Sequence, residues 1–165
     1  MSYPCMRAMV TNVTTIRPDQ TVGEALAIFK DRSIRNVPVV DKDGKFVGLF
    51  GLQQVLFNLL PKAATIEDGV ENLSFVIGAA PGIAKRLRKI EPVMVGDIMN
   101  KEPHFADCET STIEALRLMA KHGSPVVITD SKTGNFKGII SRKSLLDNLY
   151  SLLEEIEKEA ENSKE

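Results

Sequence analysis

The clearest chemical potential lies in one short run, Gly138-Ile-Ile-Ser141-Arg142-Lys143-Ser144. Two hydroxyls three residues apart, with two cations between them, open a stretch of helical apolar spacing. Free N–H groups and the positive dipole end of a helix start favour an anion, so the run reads as a phosphate-sized site. The same spacing also describes N-cap and N3 of a helix, a purely local use of both side chains. A second run, Gly48-Leu-Phe-Gly51-Leu-Gln-Gln54, keeps the spacing but not the hydroxyls. Its bland reading as a helix start outweighs the functional one.

Other reactive residues reduce to structural readings. His104 and His122 have no Cys, Asp or Glu at metal-ligand spacing. Cys108 lies too near His104 along an extended chain to form a nucleophile–base pair, and no third group orients them. Lys85, Arg86, Arg88 and Lys89 form a basic cluster that reads as a solvated face. With no converging acid, base and nucleophile, the chain reads as non-catalytic, requiring neither cofactor nor metal.

The elements that must position these residues belong to a globular chain. Of 165 residues, 43% are hydrophobic and 26% charged, which excludes a disordered or collagen-like polymer. Lys and Arg total 21 against 22 Asp and Glu, a formal charge of -1 that disfavours non-specific nucleic-acid binding. No apolar run reaches the ~20 residues of a membrane span. The longest, residues 47–60 and 75–84, are broken by Gln53, Gln54, Asn58 and Pro81. The first residues lack signal-peptide architecture, and Cys5 and Cys108 are too few for a disulfide framework. A cytoplasmic setting is expected.

Laid on itself with a shift of about 90 residues, the chain aligns in islands. Ala8-Met9 falls on Ile98-Met99, Glu24-Ala25-Leu26 on Glu114-Ala115-Leu116, and Gly48 on Gly138. Val37-Pro38-Val39-Val40 matches Ser124-Pro125-Val126-Val127 with a slip of about three residues. A slip that opens and closes again is what loop-length differences leave in a duplicated unit. Each copy begins with a β-prone run, residues 13–17 and 104–106. Thr21…Glu24 and Ser111…Glu114 then spell capping boxes. Helical spacing follows at Val22, Ala25, Leu26 and Phe29, and at Ile113, Leu116, Met119 and Ala120. Strands are expected over 37–40 and 125–128, turns over 41–44 and 130–135, and second strands over 46–50 and 136–140. Amphipathic helices close the copies, over 52–60 and 145–156.

The fold class is therefore α/β (α+β), two tandem β-α-β-β-α units packed with pseudo-two-fold symmetry around a cleft. One such unit buries too little apolar surface to stand comfortably alone. The boundaries are 3–60 and 94–150, with an insert over 61–93 that carries a short helix at 83–90, and a tail over 151–165. The apolar faces of the closing helices exceed what one small sandwich covers, so a homodimer is expected.

These residues resemble the CBS domain pair, the regulatory module named after cystathionine β-synthase. The likeness rests on Met9-Val-Thr, Glu24-Ala25-Leu26, Ile34-Arg-Asn-Val-Pro-Val-Val-Asp41 and the Gly48 strand. Val95-Gly-Asp-Ile-Met-Asn100, Glu114-Ala-Leu, Pro125-Val-Val and Gly138-Ile-Ile-Ser141 repeat it. It covers residues 3–56 and 94–150, and its strength lies in the ordered set occurring twice. The resemblance implies a discus-shaped pair that senses an adenosine-containing ligand (AMP, ADP, ATP or S-adenosylmethionine) and transmits occupancy to a regulated protein.

In nucleotide-binding members the last strand runs Gly-x-x-Thr/Ser-x-x-Asp, the carboxylate accepting from ribose hydroxyls and the hydroxyl facing phosphate. This chain has Gly51 and Gln54 in one copy and Ser141 and Ser144 in the other, without either carboxylate. A neutral acceptor in place of a charged one forfeits about 1 kcal/mol or more per hydrogen bond. The implied ligand set is Gly51 and Gln54 with backbone near Asn36, Val37 and Pro38, and Ser141, Arg142, Lys143 and Ser144 with backbone near Gly123, Ser124 and Pro125. His104, at the start of the second copy, completes it. The alternative is a constitutive dimerisation or interaction scaffold that has lost nucleotide binding.

Overall fold

The computed structural model describes residues 4–60 and 80–163. Local signals account for most of its elements. Helix α1, Val22–Arg32, starts at the expected capping box, with Thr21 Oγ1 accepting from Glu24 N–H and Glu24 accepting from Thr21 N–H. It ends at Ser33, whose left-handed backbone (φ 52°) stops the helix. Strands β1, Asn36–Val40, and β2, Phe46–Gly51, follow, joined by a turn in which Gly44 takes φ 81°. Helix α2, Leu52–Leu59, closes the first repeat. After it come α3, Ala80–Ile90, and the single turn α4, Val95–Ile98.

The second repeat runs β3, Phe105–Asp107; α5, Thr112–His122; β4, Val126–Thr129; β5, Phe136–Ile140; and α6, Arg142–Asn162. β3 pairs parallel with β4, and β4 antiparallel with β5. The first repeat has a two-stranded sheet, β1–β2. The strand expected over 13–17 shrinks to one parallel bridge, Ile16 with Val39, because Pro18 ends the run before a ladder can grow. The expected insert is described only from Ala80 onward, where the helix expected over 83–90 is present in Ala80–Ile90.

The chain divides into two compact units, each drawing on both repeats. One takes the described residues of Thr14–Asp43 and Val47–Pro103. Its core is Ile16, Val22, Ala25, Phe29, Val37, Val39, Phe50, Val55 and Val95, with Leu87 and Ile90 of α3 packed against it. The other joins the described residues up to Val13, Gly44–Phe46, and those from His104 onward. Its core is Cys5, Ala8, Ala106, Ala115, Met119, Val126, Ile128, Ile140 and Leu145. The 3-10 turn Cys5–Ala8 therefore packs with the later repeat, and Val10 exchanges both backbone hydrogen bonds with Ile139 of β5.

Burial on α5 departs from the sequence pattern. Ala115 and Met119 are buried, whereas Ile113 is 77% and Leu116 46% exposed. The buried pair matches Ala25 and Phe29 of α1, so the repeat predicts the inward face better than hydrophobicity does. The Ser111 box is half formed: Ser111 Oγ accepts from Glu114 N–H, but the Glu114 carboxylate turns to Arg117.

Candidate functional site

In the later unit, β5 delivers Ser141 to the N-cap of α6. Ser141 Oγ accepts from Ser144 N–H at 3.0 Å, and Ser144 Oγ accepts from Ser141 N–H at 2.9 Å. The Ser144 hydroxyl also donates to the Ser141 carbonyl, which occupies its only proton. Local capping thus uses the Ser144 proton but leaves the Ser141 hydroxyl proton for another acceptor. The two cations differ as well. Lys143 Nζ is held 2.6 Å from Asp147 one turn along, an i,i+4 pair that offsets its charge. Arg142 is exposed at the first turn.

Elsewhere in this unit, α5 ends at Gly123 with φ 89°, and a cis peptide joins Ser124 to Pro125 ahead of β4. His104 stacks on His122, the last residue of α5, with ring centroids 3.3 Å apart. Asp107, the last residue of β3, accepts from backbone N–H groups of Glu109 and Ser131, which holds its carboxyl below the usual range.

In the earlier unit, Gly51 precedes α2, and Gln54 Oε1 accepts from Gly51 N–H at 2.9 Å, so the expected acceptor is spent on the helix start. Val37 and Pro38 are buried, leaving only backbone to offer a ligand. Asn36 behaves differently. Its Oδ1 is buried with no hydrogen-bond partner. A Cβ on Gly51 would lie 2.8 Å from both Asn36 Oδ1 and the Arg35 carbonyl, so the Asn36 amide fills the space a hydroxyl residue at 51 would need.

One feature escapes the motif reading. A cavity of about 370 Å³ lies between the 3-10 turn and the start of α6, lined by Arg7, Ala8, Met9, Val10, Ser144, Asp147, Asn148 and Ser151. Ser144, Asp147, Asn148 and Ser151 are spaced i, i+3, i+4, i+7, a polar stripe visible on a helical wheel of 142–153. Arg7 reaches across to Glu155 and holds that carboxyl below its usual range. In the earlier unit Gln53, Leu56, Phe57, Leu59, Leu60 and Ile83 line a wider, almost wholly apolar groove of about 580 Å³.

The strand–turn–helix geometry at Gly51 and Ser141 recurs in the two units, and each falls within a stretch matched by a family model. The CBS domain model matches residues 5–60 and 95–151. This chain belongs to the CBS domain family. A CBS domain-containing protein of Dictyostelium discoideum is 28% identical over 151 residues, which cover 90% of this chain and 92% of that protein. The chloroplastic CBS domain-containing protein CBSX1 of Arabidopsis thaliana is 26% identical over 136 residues, and the match takes in 79% of this chain but only 56% of that relative's length. Inosine-5'-monophosphate dehydrogenase of Methanocaldococcus jannaschii is 44% identical over 139 residues, covering 84% of this chain and 22% of the enzyme. Among solved structures, CBSX2 in complex with AMP matches with a TM-score of 0.66 at 20% identity, covering 91% of this chain and 98% of that one. The fold of a CBS pair is thereby shared.

Proposed function

We propose that this CBS pair is a non-catalytic regulatory module that binds an adenosine-containing nucleotide and passes its occupancy to another protein. The observation that carries the reading is the start of α6. There the Ser141 hydroxyl keeps a free proton after capping, Arg142 is exposed at the same turn, and the helix dipole favours an anion. A phosphate belongs there, with the base against backbone at Gly123, Ser124 and Pro125. Ser144 and Lys143 contribute little, since one is locked in the cap and the other paired to Asp147. Without a ribose carboxylate, binding is weak and poorly selective for ribose.

Thermal-shift titration with AMP, ADP, ATP and S-adenosylmethionine tests this. A ligand at 100 times its dissociation constant stabilises the fold by about 2.7 kcal/mol. Replacing Ser141 and Arg142 together by Ala should weaken binding about tenfold, roughly 1.4 kcal/mol, while Gln54→Ala changes little. The second reading is a constitutive scaffold, favoured by Gln54 and Ser144 being spent on helix caps. No shift with any of the four compounds at millimolar concentration would decide for it.

Either reading includes a homodimer in a reducing, cytoplasmic setting. Leu56, Phe57 and Leu60 on one closing helix are 63%, 59% and 42% exposed, and Leu146, Tyr150, Leu153 and Ile156 on the other are about half exposed or more. Apolar faces of this kind mark interfaces. Sedimentation equilibrium at tens of micromolar is expected to return twice the 18.2 kDa chain mass, and Leu56→Glu to return a monomer.

A further inference from the structure

The chain contains two histidines, and they stack on one another: His104 ahead of β3 and His122 at the end of α5, with ring planes 16° apart. The same two places in the first repeat, 90 positions earlier, hold Thr14 and Arg32. Arg32 is the last residue of α1, as His122 is of α5, and its Nη1 donates to Thr14 Oγ1 at 3.0 Å. In both units, then, the end of the first helix is tied to the segment entering the parallel edge of the sheet. Directly after the tie the backbone turns to positive φ, 52° at Ser33 and 89° at Gly123. The first tie uses a guanidinium, charged at every physiological pH. The second uses two imidazoles.

We propose that the His104–His122 stack is a pH-responsive tie, closed while both rings are neutral and opened by protonation, which frees the end of α5 and the entry to β3. Both rings are exposed, and two imidazolium charges in a 3.3 Å stack repel one another, which weakens the contact. The surroundings reinforce this. His122 is exposed, yet desolvation of its ring first, then His104, and then Lys121 and Arg117 of the same helix disfavour the cation there and hold it below the ordinary histidine range. A histidine depressed in the folded state leaves stability constant above about pH 6.5 and erodes it as pH falls through the folded value. The near-parallel planes also send the ring lone pairs in parallel rather than to one point. Among the described residues, no group of three or more His, Cys, Asp or Glu could hold a metal there.

An NMR titration of the full chain from pH 8 to pH 5 tests the tie without any ligand, so its outcome is separate from that of the nucleotide reading. With two histidines the ring signals need no deconvolution. The expected result is a coupled titration in which the second proton is taken up at clearly lower pH than the first. Amide signals of Phe105 and Gly123 should shift along with it, while those of Ser33 and Ile34 in the first repeat stay still. The double substitution His104→Thr/His122→Arg rebuilds the tie of the first repeat and should abolish the shift at Gly123. His122→Gln gives an independent check on a single site. Two simple, uncoupled titrations with a stationary Gly123 amide would overturn the proposal, as would an unchanged Gly123 shift in either variant.

Discussion

Gly138→Val is expected to destabilise the later unit by about 3 kcal/mol or more, the range of severe overpacking against a fixed neighbour. An ideal Cβ at Gly138 would lie 2.5 Å from the Val10 carbonyl oxygen and 2.8 Å from Met9 Cγ. The methionine could move. The carbonyl cannot, because it accepts from Ile139 N–H at 3.0 Å while Val10 N–H donates back to Ile139 at 2.8 Å. A side chain at 138 therefore prises the N-terminal segment from β5 and uncovers Cys5 and Ala8 of the core. Gly48 stands in the same relation to Asn100 and Met99, its virtual Cβ 2.7 Å from the Asn100 carbonyl and from Met99 Sδ. The control is Gly82→Ala on α3, where nothing lies within 4 Å and helix propensity favours Ala by up to about 1 kcal/mol. Urea denaturation separates the two outcomes: a large drop in midpoint for the first, none for the second.

Phe50→Ala should cost about 3–5 kcal/mol, a large part of the total stability of a domain this size. Phe50 is 0% exposed and stacks on Phe29 with centroids 5.8 Å apart, at the centre of the core built by α1, β1 and β2. Truncation removes the contacts of a whole ring and leaves a cavity that β2 cannot close without moving the start of α2. Phe57, only seven residues on, is 59% exposed, and Phe57→Ala should cost the fold of the single chain far less, its effect falling on the dimer face. A Phe50→Ala chain as stable as its parent would mean that the first-repeat core is arranged differently.

The contrast between those two phenylalanines illustrates how unevenly the molecule can be read from its residues. Both lie in apolar runs of similar composition, and periodicity alone does not rank them. The repeat does better, because it compares positions rather than residues. It pairs Ala115 and Met119 with Ala25 and Phe29, which share the inward face, whereas the hydrophobic spacing of Ile113 and Leu116 points outward. At the site, the serine pair at 141 and 144 is legible as a cap and as an anion site at once, since both need the same residues at the same spacing.

The sequence by itself determined the order of the main helices and paired strands, the duplication and the family, because these rest on short-range physics. A Thr or Ser side chain caps the helix three residues away, and Gly44 and Gly134 turn hairpins through positive φ. Only the tertiary structure decided which hydroxyl keeps a proton to donate, that Lys143 is spent on Asp147, and that Asn36 Oδ1 is buried without a partner behind Gly51. It also decided that Val10 pairs with Ile139 and that His104 meets His122. Each of these depends on the direction a side chain takes or on segments far apart in the chain. For the long-range contacts local propensity carries no information, because their partners are chosen only when each core closes; within the first turns of α6 the spacing allows several uses, and the side-chain directions select one.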